Sequence, residues 1–405
     1  MGAIRIALCA LGICCGSFVC AQERLSLDGL VDLRWVHSDS LPSYVDGGIG
    51  TLRFDSDHEG LRLGRAMLAS KLRLSDEVSL HSVIDAYGDH NGNAVDLSEF
   101  WVEISPFPTQ SIRWRARIGA FFMPVSLENR GPGWSDVYSI TPSAINTWLG
   151  DEFRTVGTEI EARWLGVNSD YRGDVALIAS VYGWNDAAGT LLAQRGFALT
   201  DRPSTLVGGI GLPRANIYHE IDHKPGYYAG IDWHHHDWVE FRALRYDNRA
   251  DPGAYTIDGG GAWRTRFSSF GLRLEPAEYL TILLQYIDGD TAVGADSLGS
   301  DQYILNYHAG YALASIERNR DRLTLRGDRF SMHQVSGLAY GPPGDEAGHA
   351  WTLSWTHEFS NHWQSAVEWI RASSSFPPRV AYNVPIALIE TQTQVALRYR
   401  FRAGI

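Results

Sequence analysis

Ile112-Arg113-Trp114-Arg115-Ala116-Arg117-Ile118-Gly119 alternates between apolar and basic side chains without a break. A period of two is the mark of a β-strand with two unlike faces. In a bilayer, the wrong choice of face would cost roughly 2–4 kcal/mol for each arginine at the midplane, on the order of 6–12 kcal/mol for the strand. A one-residue change of register exchanges the faces. In a membrane strand, Ile112, Trp114, Ala116 and Ile118 therefore meet lipid, and Arg113, Arg115 and Arg117 face an aqueous interior.

The same alternation recurs on both sides of this segment. Leu25, Leu27, Gly29, Val31, Leu33 and Trp35 stand opposite Ser26, Asp28, Asp32 and Arg34. Tyr303, Leu305, Tyr307, Ala309, Tyr311 and Leu313 stand opposite Gln302, Asn306 and His308, and Ile389 to Phe401 repeats the pattern. Weaker segments bring the total to about sixteen strands, an even number that places both ends of the barrel on the periplasmic side. Tight connections such as Ser75–Glu77, Glu275–Glu278 and Arg318–Asp321 alternate with long ones such as Ser38–Glu59, Phe121–Arg154 and Trp184–Pro225. Tyr87–Asn93 is short where a long loop is due. Sandwiches and propellers also alternate, but they do not sort their loops into a short rim and a long rim. Trp35, Trp233, Trp355, Trp363, Tyr399 and Phe401 fall near strand ends, where interfacial girdles form. The expectation is an all-β protein over 22–405: a transmembrane antiparallel β-barrel with short periplasmic turns and long extracellular loops, in the cell outer membrane.

Residues 1–21 read as a signal peptide: Arg5, an apolar run from Ile6 to Val19, and Val19-Cys20-Ala21 before Gln22. The run is short for a membrane anchor, and the residues before Cys20 do not suit lipidation. The chain's 4 cysteines (Cys9, Cys14, Cys15 and Cys20) all lie in that segment. The net charge of −12 excludes a basic nucleic-acid-binding domain, and Lys71 and Lys224 are the only lysines. No cofactor or metal is implied. Successive side chains of a strand point to opposite faces, so His234, His235 and His236 do not converge on one ion. Asp85, Asp89, Asn91 and Asn93 lack the glycine and terminal glutamate of a calcium loop. Gly337, Gly341 and Gly344 have no Lys-Ser or Lys-Thr after them.

Two features bear on function. Arg113, Arg115 and Arg117 are spaced about 6.6 Å apart and together span about 13 Å of a band about 25 Å tall. Such a row can hand an anion from fork to fork; alternatively it pairs with Glu99, Glu103, Glu159 or Glu161 and leaves a transverse field. The loop Phe121–Arg154 is the second feature. It has a helix signal, with Thr141 as cap, Pro142 at the first position and Gly150 at the end. Folded inward, its Glu128, Arg130, Asp151, Glu152 and Arg154 line a constriction; folded outward, the loop is a lid.

Arg117-Ile-Gly119-Ala-Phe121-Phe-Met-Pro124, a basic strand running into a Gly-x-Phe-x-x-Pro corner, resembles the phosphate-selective porin family, most strongly over residues 60–165. The resemblance implies a sixteen-stranded barrel, usually a homotrimer, whose arginine ladder conducts anions. The family's phosphate site relies on lysines, which this chain almost lacks. The expected function is thus a passive channel for small hydrophilic solutes biased toward anions, with outer-membrane lipid as its other partner and no enzymatic role. The alternatives are a sugar or carboxylate channel, an adhesive barrel, and an outer-membrane hydrolase. The sugar reading is disfavoured because most strand aromatics fall in the apolar phase of the alternation rather than along the lumen. The hydrolase would need a serine beside one of His308, His333 or His349.

Overall fold

A computed structural model describes residues 24–404 except 90–93, 109–110, 167–172, 208–216, 237, 258–259, 295–301 and 337–343. The expected signal peptide lies outside the described residues. The barrel strands are Leu25–Ser38 (β1), Gly60–Arg73 (β2), Val78–Ala86 (β3), Val95–Ile104 (β4), Ile112–Phe121 (β5), Thr155–Trp164 (β6), Gly173–Gly183 (β7) and Gly226–His235 (β8). They continue with Val239–Asp247 (β9), Arg264–Ala277 (β10), Leu280–Val293 (β11), Tyr303–Arg318 (β12), Asp321–Ser336 (β13), Glu346–Glu358 (β14), Trp363–Ser375 (β15) and Ala387–Gly404 (β16). Each strand pairs antiparallel with its neighbours in sequence, and β1 closes on β16.

The faces follow the alternation in most strands. Val31, Leu33 and Trp35 of β1 point outward, while Asp32 and Arg34 are buried inside. On β5, Trp114 and Ile118 are half exposed on the outer surface. The same holds for Val395 and Leu397 of β16, with Gln394 and Arg398 inside.

β12 reverses the expectation. Leu305, Tyr307, Tyr311 and Leu313 point into the barrel, and Asn306 and His308 point out. Tyr182, Tyr228, Tyr246, Phe267 and Phe330 also face inward. Loops fill the extracellular half of the lumen, so these inner faces meet an apolar partner made of protein rather than water. Periodicity separates two faces without saying which solvent each will find.

The closing seam depends on a glycine. A Cβ built on Gly29 would lie 2.0 Å from the Phe401 ring, which covers the β1 backbone at that point. The residues after Phe401 extend the seam: Arg402 pairs with Asp28 at 2.7 Å, and Ala403 and Gly404 lie opposite Leu27 and Ser26. Gly29→Leu should displace Phe401 and, as overpacking does, cost about 1–3 kcal/mol. The expected result is a lower melting temperature, read as loss of the folded band on unheated gels.

Candidate functional site: the barrel lumen

The arginines of β5 meet carboxylates of the adjacent β6. Arg115 lies 2.6 Å from Glu161 and Arg117 lies 2.7 Å from Glu159. The chain of charges continues through Arg163, which reaches Glu161 at 3.1 Å and Asp232 at 3.2 Å, to Arg242, which is 3.0 Å from both Asp232 and Glu240. Arg113, opposite Arg163, makes no ion pair among the described residues. Of the other two glutamates, Glu103 reaches His81 at 4.0 Å, and Glu99 accepts the N–H groups of Phe122 and Gly133. This wall borders a cavity of about 800 Å³ that also includes Arg113 and Lys71. A second cavity of about 750 Å³ is lined by Arg320, Arg322 and Arg400 near the periplasmic turns. The segment Gly131–Asp136 stands between the two.

The loop after β5 crosses the interior. Its turn at Gly133 is held by Arg65 of β2, whose Nη2 donates to the Gly133 carbonyl at 2.6 Å. Ile140 N–H donates to Glu368 of β15 at 2.7 Å, and Ala144 N–H donates to Asp328 of β13 at 3.1 Å. The helix α1 spans Ala144–Glu152 and is capped by Ser143, whose Oγ accepts from Asn146 N–H. This corrects two expectations. Thr141 sits outside the helix, where Gln394 of β16 binds its hydroxyl. Gly150 lies within the helix, where the Trp134 indole, 2.7 Å from a would-be Cβ, leaves no room for a side chain. Trp148 projects from α1 into the lumenal aromatics, with ring centroids 4.8 Å from both Phe153 and Tyr307. Phe153 in turn packs edge-on against Tyr246 at 5.0 Å.

The loop residues picked out from sequence are placed as follows. Arg130 lines the larger cavity and pairs with Glu240 of β9. Asp151 accepts from Tyr44 at 2.8 Å and from Arg195 at 2.5 Å. Glu152 accepts the Gly189 and Leu191 N–H groups at the start of the short helix Thr190–Arg195 (α2). Arg154 stacks 3.3 Å above the Phe122 ring, and its Nε and Nη1 are buried without a hydrogen-bond partner. Glu128 joins a cluster around Arg326 of β13, together with Asp136 and Asp328, at 3.4, 3.8 and 2.9 Å. One guanidinium thus faces three buried carboxyl groups. Burial and the neighbouring Glu128 push Asp136 up to about 8 despite Arg326. Burial likewise pushes Asp151 up to about 7, although Arg195 opposes it.

Sequence reading missed the inner wall of β16, β1 and β2. Arg34 is bound by Asp32 at 2.8 Å, by Gln394 at 3.0 Å and by Asp201 of the loop after β7 at 2.5 Å. The guanidinium lies directly over Gly64, the extra residue where the β1–β2 register shifts, and a Cβ there would meet Arg34 Nε at 2.2 Å. The alternation Asp32-Leu33-Arg34 pointed to inward charges, but the partner 167 residues away carried no local signal.

The remaining motifs disperse. His234 faces Asp232 at 3.0 Å inside the barrel, whereas His235 stacks on Trp233. Asp85 pairs with Arg65 at 2.7 Å and Asp89 with Arg53 at 2.9 Å; 90–93 lie outside the described residues, as do Gly337 and Gly341. On the outer surface, Ser331 Oγ and His308 Nε2 are 2.8 Å apart across β12 and β13.

No family model matches the chain, and no curated protein matches it. Solved structures do match in fold. The outer membrane channel DcaP of Acinetobacter baumannii aligns with a TM-score of 0.54 and 10% identity, over 93% of this chain and 96% of that one. The anion-selective porin from Comamonas acidovorans aligns with a TM-score of 0.53 and 12% identity, over 94% and 100%. OmpF of Salmonella typhi, in complex with daunomycin, aligns with a TM-score of 0.53 and 11% identity, over 94% and 98%. The chain has the fold of these porin-like barrels and is a barrel of the outer membrane.

Two outcomes follow for the loop. Trp148→Ala should weaken its docking by about 3–5 kcal/mol, the usual cost of deleting a buried aromatic, and expose 121–154 to limited proteolysis. Docking should also depend on pH. Asp136 is raised from 3.8 to about 8, so the docked state holds a proton that the undocked state releases. Its contribution is complete below about 3.8 and is lost as pH rises through about 8. Proteolysis of the loop should therefore be slower at acid than at alkaline pH, and Asp136→Asn should flatten that difference.

Proposed function

We propose that this protein is an outer-membrane porin, a passive diffusion channel for small hydrophilic solutes, biased toward anions. The observation that carries this reading is the pair of large cavities inside a closed barrel, walled by charged side chains and with guanidinium groups in both. A barrel that served only as an anchor would have no use for a charged interior, since burying charge costs free energy unless each group is paired or solvated. Arg113, Arg115 and Arg117 form the basic wall, and the loop Phe121–Arg154 forms the constriction through its placement across the lumen. Phosphate and other small anions are the proposed solutes, because guanidinium forks match their geometry. The homotrimer implied by the family resemblance belongs to the same proposal, and chemical cross-linking in the membrane would read it directly.

Planar-bilayer conductance under a salt gradient tests the proposal. The wild type should conduct with an anion-directed reversal potential. In an Arg113/Arg115/Arg117→Ala variant, Glu159 loses its arginine partners, Glu161 keeps only Arg163, and the cavity wall loses three positive charges. The reversal potential should then move toward cations. A wild type that carries no current and supports no liposome swelling would overturn the channel reading.

A second reading rests on Ser331 and His308. The two side chains lie within hydrogen-bond distance on the lipid-facing surface, and Asp288 stands opposite His308 in register. This is the nucleophile–base pairing that an acyl hydrolase would need. Ester hydrolysis by detergent-purified protein, lost in Ser331→Ala, would bring that reading forward; no hydrolysis by wild type would remove it.

A further inference from the structure

The inner wall of β16, β1 and β2 carries a column of arginines distinct from the β5 row. Arg400 opens on the cavity of about 750 Å³ near the periplasmic turns. Above it, Arg398, Arg34 and Arg65 line a small void of about 50 Å³, which Arg400 also borders. Past the void stands Arg53 of the first long loop. The strand aspartates in this column are built in: Asp32 sits 2.7 Å from Arg398, and Asp85 sits 2.7 Å from Arg65.

Asp201 differs from these. It comes from the loop after β7, and its two carboxylate oxygens are divided between two arginines. Oδ2 lies 2.5 Å from Arg34 Nη2 and Oδ1 lies 2.8 Å from Arg53 Nη1. Arg34 and Arg53 are each only 1% exposed. Arg53 also holds Asp89 at 2.9 Å through Nη2, and it keeps a further donor, its Nε, buried and without a hydrogen-bond partner. A carboxylate has two oxygens, and here both are used. A phosphate carries more acceptors and has one to spare for that idle N–H.

We propose that Arg34 and Arg53 form an oxyanion site on the solute path, and that Asp201 occupies it as a tethered counter-anion that must leave for an anion to pass. This rests on the porin reading. Asp201 is then a gate: the loop holds the passage shut between the void and Arg53, and withdrawing one carboxylate opens a paired-arginine site to a free anion. The competition is between a tethered carboxylate, whose effective concentration its loop sets, and a free anion that must exceed it. Inorganic phosphate at higher concentrations can compete with such a tether. The carboxylate's charge matters more than its bulk, so an isosteric neutral side chain releases the gate.

The test is chloride conductance of the full-length protein in planar bilayers, for wild type and Asp201→Asn, before and after adding potassium phosphate on the periplasmic side. Heat-modifiable gel mobility confirms that each is folded, and Asp201→Ser serves if the asparagine variant does not fold. The expected result is a several-fold rise in chloride conductance in the variant. Phosphate should then reduce that current at concentrations that leave the wild type unchanged. If the wild type conducts and the variant matches it in both conductance and phosphate response, the gate is overturned while the porin reading stands. If neither conducts nor supports liposome swelling, both fall together.

Discussion

In hydrocarbon no backbone N–H or C=O can be left without a partner, and the closure of β1 onto β16 is how this chain meets that demand. The rest of the structure follows from it. A closed sheet has one face in lipid and one face inside, so every strand must divide its side chains between two solvents. Gly29 and Phe401 show how tightly the seam is drawn, with an aromatic ring lying where a Cβ would otherwise stand. The chain beyond Phe401 does not hang free. Its Arg402, Ala403 and Gly404 lengthen the final strand and the contact with β1.

Closure also creates an interior whose polarity the protein must set for itself. In the extracellular half the interior is protein: Trp148, Phe153, Tyr246 and Tyr307 pack as they would in a soluble core. Toward the periplasm it opens into two charged cavities separated by the segment Gly131–Asp136. Between these regions the loops exclude water from ionisable groups, and the result is a set of shared charges. Arg326 faces three carboxyl groups, and Arg34 answers both Asp32 and Asp201. Pairs of this kind do little for net stability, since desolvation offsets much of the attraction, but removing one partner leaves a buried charge exposed to the full cost. That asymmetry suits contacts that hold a loop in one position.

Where the alternation paired arginine with tryptophan, as in Arg113–Ile118, orientation could be read without coordinates because one choice was energetically closed. Where it paired tyrosine and leucine with asparagine and histidine, as in β12, the reading turned out inverted. Tyrosine is tolerated by lipid, by water at an interface and by an aromatic core alike, so its periodicity alone does not choose among them. The helix in the long loop was also legible, through its proline and a hydroxyl cap beside it. Its boundaries were not, because Gly150 is there for the Trp134 indole and Thr141 is engaged by Gln394 from the far wall.

By itself, the sequence determined that this is a barrel of alternating strands with unequal rims, because period and loop length are local properties written along the chain. It also determined that Arg113, Arg115 and Arg117 face the lumen. Only the tertiary structure decided what those arginines meet, and that Arg34 and Asp201 come together across 167 residues. The reason is that charge pairing inside a barrel is set by which strands and loops are adjacent. Adjacency follows from closure and from loops folding inward, and neither leaves a trace in the residues on either side of a charged position.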